Sequence, residues 1–530
     1  MSPSRSPSLF SSSSSSSSSC SNRTLKTLAS ICALVLAFAI SAEARLVEIR
    51  ILHTTDLHGH ILPTRDYEGN ANVGGLLRCA TLIRQLRAER ENVLLVDCGD
   101  LYQGSAESYL SSGRVMIKAI DALKYDAWTL GNHEFDWGYE KLVPLQDTTH
   151  VPVLAANIVA LPGNRMPLAK TKSFIMREFD GVRVAIVGLI TPGVPSWSWP
   201  DLLGPLEFQR SVDALRRVMP QVRSAGPDII VLTTHQGYRP HGDDHANEIN
   251  AIARAFPEIN IIIGGHSHRV EEGEEIGDTL YAQAGYYGIW LGCLDLSYDT
   301  VEKKLVNRTS RVLPVADLYE PDKELEALVH DDLEKARAYL DEEIGEAKVA
   351  ITAEADSQGR SDIQQLLCKA IAEVSGAEMV LHSALSEDPL PAGPLRMRDV
   401  WPVVPYENRM AVLMLTSAEL KEILDENLGN KGNYQFMGTY GLDYDVEKEG
   451  SKSRATRLRL PDGEPLHPRK RFRVAINSYV LASGGRRFPR LREIAEQPES
   501  RLGLKNIDTR NAVVEYIRKH SPLTAGVPAP

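Results

Sequence analysis

The sequence lacks an excess of basic residues. Its 530 residues include 59 Lys and Arg against 70 Asp and Glu, which gives a formal net charge of -11 at pH 7. A protein that binds a nucleic-acid polymer needs basic residues to neutralise the phosphates along it. The composition therefore argues against such a partner. The composition is compatible with a small phosphorylated substrate, because metal ions can supply positive charge locally.

Cysteine is scarce as well. The chain contains 6 Cys, and none of them stands in a Cys-x-x-Cys pair. Cys20 and Cys32 lie in the N-terminal segment discussed next, and the other four are too few for a disulfide scaffold in a chain of this size. We expect these four to be buried free thiols, with a Cys79–Cys98 bridge as an open alternative. They are Cys79, Cys98, Cys293 and Cys368.

The apolar segment near the N-terminus is short for a membrane span. It covers residues 28–42, about 15 residues, whereas a spanning helix needs roughly 20. Basic residues precede it, and Ala42-Glu43-Ala44 is a small-x-small cleavage pattern. We therefore expect residues 1–44 to be a cleaved signal peptide, with a membrane anchor as the alternative. The mature chain would then be exported to the periplasm or the extracellular space, without a stable membrane span.

From Leu46 onward, short apolar strands alternate with helical stretches. This pattern predicts an α/β domain with a mostly parallel or mixed sheet, including a strand over 47–54 and a helix over 76–90. Asp180-Gly181 predicts the turn of a hairpin. The charged segment 321–348 predicts a solvent-exposed linker helix. Residues from about 350 to 520 have their own helices and strands, which indicates a second domain.

Polar side chains follow five of the predicted strands at the point where each strand ends. In an open α/β sheet the loops beyond the carboxyl ends of the strands converge on one crevice, so these segments can meet there. Each fragment alone is a common turn sequence, but five of them in order indicate a metal site. They are Asp56-Leu57-His58, Asp97-Cys98-Gly99-Asp100, Gly131-Asn132-His133-Glu134-Phe135-Asp136, Thr234-His235 and Gly264-Gly265-His266-Ser267-His268.

These residue types suit a pair of divalent metal ions. Imidazole and carboxylate groups are good ligands for borderline metals, and one carboxylate can be shared between two ions. Two ions about 3.5–4 Å apart can stabilise both the attacking and the leaving oxygen of a displacement. The pattern therefore predicts hydrolysis of a phosphate ester by a metal-activated water. It does not distinguish Zn, Mn, Co and Fe as the metal.

The segments 53–59 (His-Thr-Thr-Asp-Leu-His-Gly), 131–136 and 264–268 resemble motifs of the calcineurin-like metallophosphoesterases. Within that class they resemble the secreted or periplasmic 5'-nucleotidase family, which includes UDP-sugar hydrolases. The resemblance covers nearly the whole mature chain. It implies a four-layer metallophosphoesterase sandwich, a linker helix, a C-terminal α+β domain of the 5'-nucleotidase type and a short tail. The expected bounds are 45–318, 319–349, 350–522 and 523–530.

The resemblance also implies a role for each polar residue of the motifs. Asp56, His58 and His268 would hold one metal, and Asp100 would bridge to the second. The second metal would be held by Asn132, His235 and His266. His133, oriented by Asp136, would stabilise the phosphoryl group and the leaving oxygen.

The C-terminal region shows part of the pattern by which the family recognises a nucleotide. Pro405-Tyr406-Glu407-Asn408 resembles a Pro-Phe-Gly-Asn turn of the family, and two further segments resemble its aromatic loops. The expected substrate-binding residues are Asn408, Tyr434, Phe436, Tyr479 and Arg486. Two flat rings can stack a base, although ordinary core packing is an equal alternative for these aromatics.

Two features of this region depart from the family. The Gly-Gly-x-Arg arginine is missing near residues 381–390, and Arg486 stands where the family has an aspartate that binds ribose. Arginine would favour an additional anionic group on the substrate. The leading hypothesis is an exported 5'-nucleotidase or a related nucleotide or UDP-sugar hydrolase, acting as a monomer. The alternatives are the same site acting on a sugar phosphate, phosphodiester or thiosulfonate, and a non-catalytic metal-containing binding protein.

Overall fold

The structure is a computed structural model that describes residues 45–315 and 317–524. The predicted signal peptide at 1–44 and most of the predicted tail at 523–530 lie outside the described residues. Within the described part of the chain, no helix is both long enough and apolar enough to cross a membrane.

The N-terminal region alternates strands and helices. Its strands are β1 (Leu46–Thr54), β2 (Val93–Asp97), β3 (Ala127–Thr129), β4 (Val153–Leu154), β5 (Ile158–Ala160), β6 (Phe174–Phe179), β7 (Val182–Leu189), β8 (Leu206–Phe208), β9 (Ile229–Thr234), β10 (Ile261–Ile263), β11 (Val270–Ile276), β12 (Thr279–Ala284), β13 (Trp290–Asp299) and β14 (Lys304–Pro314). Its helices are α1 (Leu76–Ala88), α2 (Ala106–Ser111), α3 (Arg114–Ala122), α4 (Tyr139–Thr148), α5 (Pro200–Leu203), α6 (Ser211–Ser224) and α7 (Ile249–Ala255).

Two six-stranded mixed sheets form the centre of this region. Their strand orders are β14-β13-β1-β2-β3-β4 and β11-β12-β10-β9-β7-β6. The strands β1, β2, β3 and β4 run parallel, as do β7, β9, β10 and β12. The predicted hairpin at Asp180-Gly181 is the antiparallel pair β6–β7. Parallel neighbours end at the same edge of a sheet, so the polar loops after β1, β2 and β3 lie side by side.

The two sheets pack face to face. Apolar side chains from both, such as Ile51, Val96, Ile186 and Val231, fill the space between them and are buried. On the outer face of the second sheet, α6 buries Ala214, Val218 and Val222, which follow the four-residue spacing of one helix face. The outer face of the first sheet is covered by α1, α3 and α4. The arrangement is helix, sheet, sheet, helix, which confirms the predicted four-layer sandwich.

The C-terminal region contains a smaller sheet. Its strands are β15 (Glu343–Ala347), β16 (Met379–His382), β17 (Gly393–Arg396), β18 (Arg409–Thr416), β19 (Gly438–Tyr440), β20 (Asp443–Glu449), β21 (Lys452–Arg459), β22 (Arg471–Asn477) and β23 (Gly503–Asp508). The helices from the connecting segment onward are α8 (Lys323–Leu340), α9 (Asp362–Ser375), α10 (Met397–Val400), α11 (Ser417–Gly429), α12 (Ser478–Leu481), α13 (Pro489–Ala495) and α14 (Thr509–His520). The main sheet has the order β19-β16-β22-β18-β23.

Local signals explain where the helix α9 begins and ends. The side chain of Ser361 caps its N-terminus by accepting a hydrogen bond from the backbone N–H of Gln364. Gly376 ends it in a left-handed conformation with φ 67°. Packing of α9 and α14 on the sheet gives the α+β domain that the family resemblance implied.

The connecting segment differs from the predicted solvent-exposed linker helix at 319–349. Its helix α8 is shorter, at Lys323–Leu340, and the following residues form the strand β15. One face of α8 is buried against α1, α2 and α3 of the catalytic region, and Leu325, Val329 and Leu333 belong to that core. Charged residues fill the other face. The linker helix is therefore part of the N-terminal domain's packing.

All four cysteines outside the predicted signal peptide are free and buried. This agrees with the expectation of buried thiols and does not support the Cys79–Cys98 bridge. Burial raises the pKa of the Cys79 thiol to about 12, and a thiol that stays protonated is a weak nucleophile.

The buried face of α8 provides a test of its structural role. Leu325 is 1% exposed, whereas Leu328 on the same helix is 48% exposed. We expect Leu325→Ala to lower the free energy of unfolding by about 2–5 kcal/mol, because it leaves a cavity in the core. Leu328→Ala, the matched control, should change it by less than about 0.5 kcal/mol. Urea unfolding measures both, and equal effects would contradict the packing described above.

Candidate metal centre and active site

The polar residues of the five motifs converge where strands from both sheets end. Asp56 and His58 follow β1, and Asp100 follows β2. The loop after β3 includes a short 3-10 turn at His133–Phe135, which places His133 and Asp136 on the same side. The second sheet contributes the residues that follow β9 and β10, which are His235, His266 and His268.

The backbone at these residues is strained. Five non-glycine residues of the site have positive φ angles, a region that costs of order 1–3 kcal/mol per residue. Such a conformation persists only where the surroundings enforce it, and it is frequent at functional sites. The five are Asp56 (51°), His58 (47°), Asp100 (54°), His266 (69°) and His268 (57°).

The side chains form overlapping groups with the spacing of metal ligands. Ligand atoms lie within 4.8 Å of one another in three sets: Asp56, His58 and His268; His58, Asp100 and His133; and Asp56, Asp100 and His235. Nε2 of His268 is 3.1 Å from Oδ1 of Asp56, and Nε2 of His235 is 3.0 Å from Oδ2 of Asp100. Asp56, His58 and Asp100 each belong to two of the sets, so the three sets overlap in one cluster.

Two imidazole rings are oriented by backbone carbonyls. Nδ1 of His58 donates to the carbonyl of Gln103 over 2.9 Å, and Nδ1 of His235 donates to that of Cys98 over 2.8 Å. Each ring therefore presents Nε2 to the centre of the site, as metal-ligating histidines usually do. Nε2 of His235 is buried and faces Oδ2 of Asp100 at 3.0 Å, but among the described residues no contact of this atom has the geometry of a hydrogen bond. A divalent cation would satisfy this atom, so the donor set fits a metal.

The remaining predicted ligands also lie here. Nδ1 of His266 is 2.9 Å from Oδ1 of Asn132. The backbone N–H of His266 donates to the Asp56 carboxylate, and that of His133 donates to Oδ1 of Asp100 over 2.8 Å. All seven predicted metal ligands are thus in one cluster.

His133 and Asp136 form a hydrogen-bonded pair next to this cluster. Nδ1 of His133 lies 2.6 Å from Oδ2 of Asp136, and its Nε2 is 4.0 Å from Oδ2 of Asp100. Burial favours the neutral ring, but the carboxylates of Asp136 and Asp100 outweigh it and raise the pKa of His133 to about 10. The pair therefore presents a cationic imidazole to the site.

Glu134 is a functional residue that the sequence reasoning missed. It is fully buried, and its carboxylate accepts backbone hydrogen bonds from Gly131 (2.6 Å), Leu101 (2.7 Å) and Asp100 (2.9 Å). It thereby ties the loop after β2 to the loop after β3. The sequence shows only that Glu134 lies between His133 and Asp136, and this position does not indicate that its carboxylate is buried or that it accepts backbone hydrogen bonds.

Close packing explains two of the motif glycines. A Cβ atom on Gly131 would lie 2.3 Å from Oδ1 of Asp100, and one on Gly265 would lie 2.3 Å from Oγ1 of Thr55. Both distances are far below van der Waals contact. Glycine is required at these positions because the backbone itself passes against the ligand side chains.

A cavity of about 670 Å³ lies above the cluster, between the two domains. The catalytic domain contributes His133, Asp136 and His266 to its wall, and the C-terminal domain contributes Tyr406 and Asn408. The rings of His133 and Tyr406 are nearly parallel, with centroids 6.3 Å apart. Tyr67, which had no assigned role in the sequence, also lines the cavity, and its hydroxyl lies 2.8 Å from Nδ1 of His268.

The expected substrate-binding residues divide into two groups. Tyr434, Tyr479 and Asn408 line the cavity, and the two tyrosine hydroxyls lie 3.4 Å apart, bridged by the side-chain amide of Gln435. Phe436 does not line the cavity. It is half-buried and packs against the core of the C-terminal domain.

The structure also corrects the expectation for Arg486, whose side chain is exposed and is not part of the cavity wall. The neighbouring Arg487 lines the cavity instead. Its guanidinium donates to the carbonyl of Gly484 and lies 5.9 Å from the ring centre of Tyr434. The left-handed turn at Gly484 and Gly485 reverses the direction of the loop, which a linear motif comparison could not show.

Comparison with known proteins agrees with this architecture. The family model for calcineurin-like phosphoesterases matches residues 49–270, and the model for the 5'-nucleotidase C-terminal domain matches residues 343–493. The 5'-nucleotidase of Vibrio parahaemolyticus is 26% identical over 532 residues, covering 91% of this chain and 91% of the relative. Endonuclease YhcR of Bacillus subtilis is 24% identical over 501 residues, covering 89% of this chain, and the chain spans 40% of that relative's length.

A solved structure has the same fold. The 5'-nucleotidase precursor from Thermus thermophilus is 22% identical and aligns with a TM-score of 0.68, covering 91% of this chain and 100% of that chain. The chain therefore contains a calcineurin-like phosphoesterase domain, of a class of hydrolases that use divalent metals, followed by a 5'-nucleotidase C-terminal domain. Over most of its length it is similar to 5'-nucleotidases.

The His133–Asp136 pair can be tested in the metal-free protein. We expect Asp136→Asn to lower the pKa of His133, because it removes the nearest carboxylate that stabilises the imidazolium. NMR titration of the histidine side chains measures this pKa, with the exposed His150 as the internal reference. A His133 pKa that is the same in the variant and the wild type would show that Asp136 does not hold the charge on this ring.

Proposed function

We propose that this chain is a dinuclear metallohydrolase that cleaves phosphate esters, most closely a 5'-nucleotidase or a nucleotide or UDP-sugar hydrolase. The observation that carries the proposal is the cluster of overlapping ligand groups around Asp56, His58 and Asp100, beside the His133–Asp136 pair at the base of an interdomain cavity. A metal held only for structure would need neither the His133–Asp136 pair nor a cavity above it.

The ligands divide into two sites in this proposal. Asp56, His58 and His268 hold one ion, and Asp100 bridges to the other, which is held by Asn132, His235 and His266. Bound divalent ions would supply Lewis acidity and lower the pKa of a coordinated water molecule. The donor set of imidazole, carboxylate and amide does not select among Zn, Mn, Co and Fe.

His133 completes the proposed catalytic machinery. Asp136 fixes the ring through Nδ1, so Nε2 points towards the centre of the site. From there Nε2–H can donate a hydrogen bond to a phosphoryl oxygen, or a proton to the leaving oxygen. The cavity wall excludes part of the solvent, which strengthens this interaction.

The domain bounds and the location of the protein in this proposal are those expected from the sequence. We propose a signal peptide at 1–44, a catalytic domain at 45–318, a connecting helix within 319–349 and a substrate domain at 350–522. The protein would then act outside the cytoplasm, as a monomer, on a small phosphorylated substrate. The 5'-nucleotidase named among its relatives supports a nucleotide, and the tyrosines of the cavity offer faces for a base.

Replacing the proposed acid tests the reaction. We expect His133→Ala to lower kcat for the preferred phosphate ester about 100- to 10,000-fold, as loss of a general acid does. His150→Ala, which removes an exposed histidine, is the control and should keep wild-type activity. A chelator should abolish turnover, and added Mn, Zn or Co should restore it.

The assay would compare nucleoside monophosphates, UDP-glucose and bis-p-nitrophenyl phosphate. Turnover confined to non-nucleotide esters would replace the nucleotidase assignment with the alternative substrate class. Wild-type turnover in His133→Ala would show that His133 is not the catalytic acid.

Arg487 tests what the cavity recognises beyond the scissile phosphate. Its guanidinium contacts the carbonyl of Gly484 and the ring of Tyr434, which are both uncharged, so its charge is available to a ligand in the cavity. We expect Arg487→Gln to raise KM about tenfold or more for UDP-glucose, whose second phosphate is anionic, and less for a nucleoside monophosphate. Arg486→Gln is the matched control. An equal change in KM from both variants would show that Arg487 does not contact the substrate.

A further inference from the structure

Glu407 joins the two domains through one buried carboxylate. It precedes β18 in the C-terminal domain and is 8% exposed. Its Oε1 accepts a hydrogen bond from Nη1 of Arg510 over 2.6 Å. Its Oε2 accepts from Nε2 of Gln103 and Nε1 of Trp137, both in the catalytic domain and both at 3.0 Å. Each carboxylate oxygen is therefore occupied, one within its own domain and one across the interface.

Arg510 holds this carboxylate in place. The arginine is 1% exposed, and its Nε donates to the carbonyl of Val404 over 2.8 Å. Its guanidinium lies 3.6 Å from the ring centre of Trp401. Removing one partner of a buried ion pair leaves an uncompensated charge, which is strongly unfavourable. The pair therefore fixes the position of Glu407 at the interface.

The C-terminal domain makes a second contact beside the first. Nε1 of Trp401 donates to the backbone carbonyl of Gly104 over 3.1 Å. Glu407 and Trp401 thus bind consecutive residues of the catalytic domain, one through a side chain and one through the backbone. These residues belong to the segment 103–105, which follows β2.

The same segment holds His58. The carbonyl of Gln103 accepts the hydrogen bond from Nδ1 of the His58 ring, and the backbone N–H of Ser105 donates to the carbonyl of His58 over 3.1 Å. Gly104 packs so closely that a Cβ atom on it would lie 2.5 Å from the His58 carbonyl oxygen. A displacement of 103–105 would therefore displace or rotate His58.

We propose that Glu407 is a positioning residue for the metal centre, acting from the C-terminal domain. By binding Gln103 it holds the segment 103–105, and through that segment it sets the orientation of the His58 ring. The inference rests on the proposed function in that it takes His58 as a metal ligand. The turn that Pro405-Tyr406-Glu407-Asn408 resembles has glycine at the position of Glu407, and glycine has no side chain with which to make this contact.

The test is metal affinity, because a group that only contacts substrate would not change it. Titration calorimetry with Mn²⁺ alone would compare the full mature chain with Glu407→Gln. We expect the dissociation constant to rise about tenfold or more, as it does when the partner of a ligating histidine is lost. In turnover assays kcat should fall by a similar factor with KM little changed. Glu422→Gln, which breaks the exposed pair with Arg490, is the matched control.

Two further variants keep the test decisive. Trp401→Phe removes the hydrogen bond to Gly104 and retains an aromatic ring, so it should weaken Mn²⁺ binding in the same direction. Gln103→Met removes the amide that Glu407 binds. The double variant Gln103→Met/Glu407→Gln should bind Mn²⁺ no more weakly than the single variant with the lower Mn²⁺ affinity, because both substitutions remove the same contact. If Glu407→Gln does not fold, Gln103→Met decides, because it removes the same contact from the other domain.

Wild-type Mn²⁺ affinity in folded Glu407→Gln, or in Gln103→Met, would overturn the proposal. Failure of the wild-type chain itself to bind Mn²⁺ would instead overturn the metal site and this inference with it. The two failures are therefore distinguishable in one set of titrations.

Discussion

The architecture of the catalytic domain depends on burying two carboxylates side by side. Asp56 and Asp100 are 0% and 1% exposed, and their ligand atoms lie within 4.8 Å of one another in the group that includes His235. Taking each such ion out of water costs several kcal/mol unless opposite charge and hydrogen bonds compensate. The surrounding imidazoles and backbone N–H groups supply that compensation, and divalent ions would complete it. Because the carboxylates follow strands of the first sheet and His235, His266 and His268 follow strands of the second, the carboxyl ends of these strands must lie next to each other.

This constraint explains features that look unrelated along the chain. The strand ends turn through left-handed conformations, and backbone N–H groups of the same loops donate to the carboxylates of Asp56 and Asp100. Gly131 stands where the backbone passes against the Asp100 carboxylate. Glu134 gathers three backbone N–H groups from two loops, which keeps those loops together despite their strain. The contacts that hold these loops in their folded conformation are thus the same contacts that place the ligand side chains.

The C-terminal domain completes the wall of the cavity above the ligand cluster. It places Tyr406 against His133, and it lines the cavity with Tyr434, Tyr479 and Arg487. Through Glu407 and Trp401 it also contacts the segment that orients His58. The helix α8 fastens the two regions, since it packs on the catalytic core and leads directly into β15. The position of the second domain therefore bears on both the substrate and the metal centre.

The sequence by itself determined an α/β class for the N-terminal domain, many of its elements and five polar segments that the structure gathers into one cluster. It could do so because apolar periodicity marks buried strands, and because residues at the ends of parallel strands share an edge. The four layers and the seven individual ligands were implied by the family resemblance of the motifs. Tertiary structure alone decided that α8 is buried on one face, that Arg487 rather than Arg486 lines the cavity, and that Phe436 packs in the core. It alone revealed Glu134, Tyr67 and Glu407. These depend on contacts between residues distant in the chain, and no local pattern encodes which partner a buried polar group will meet.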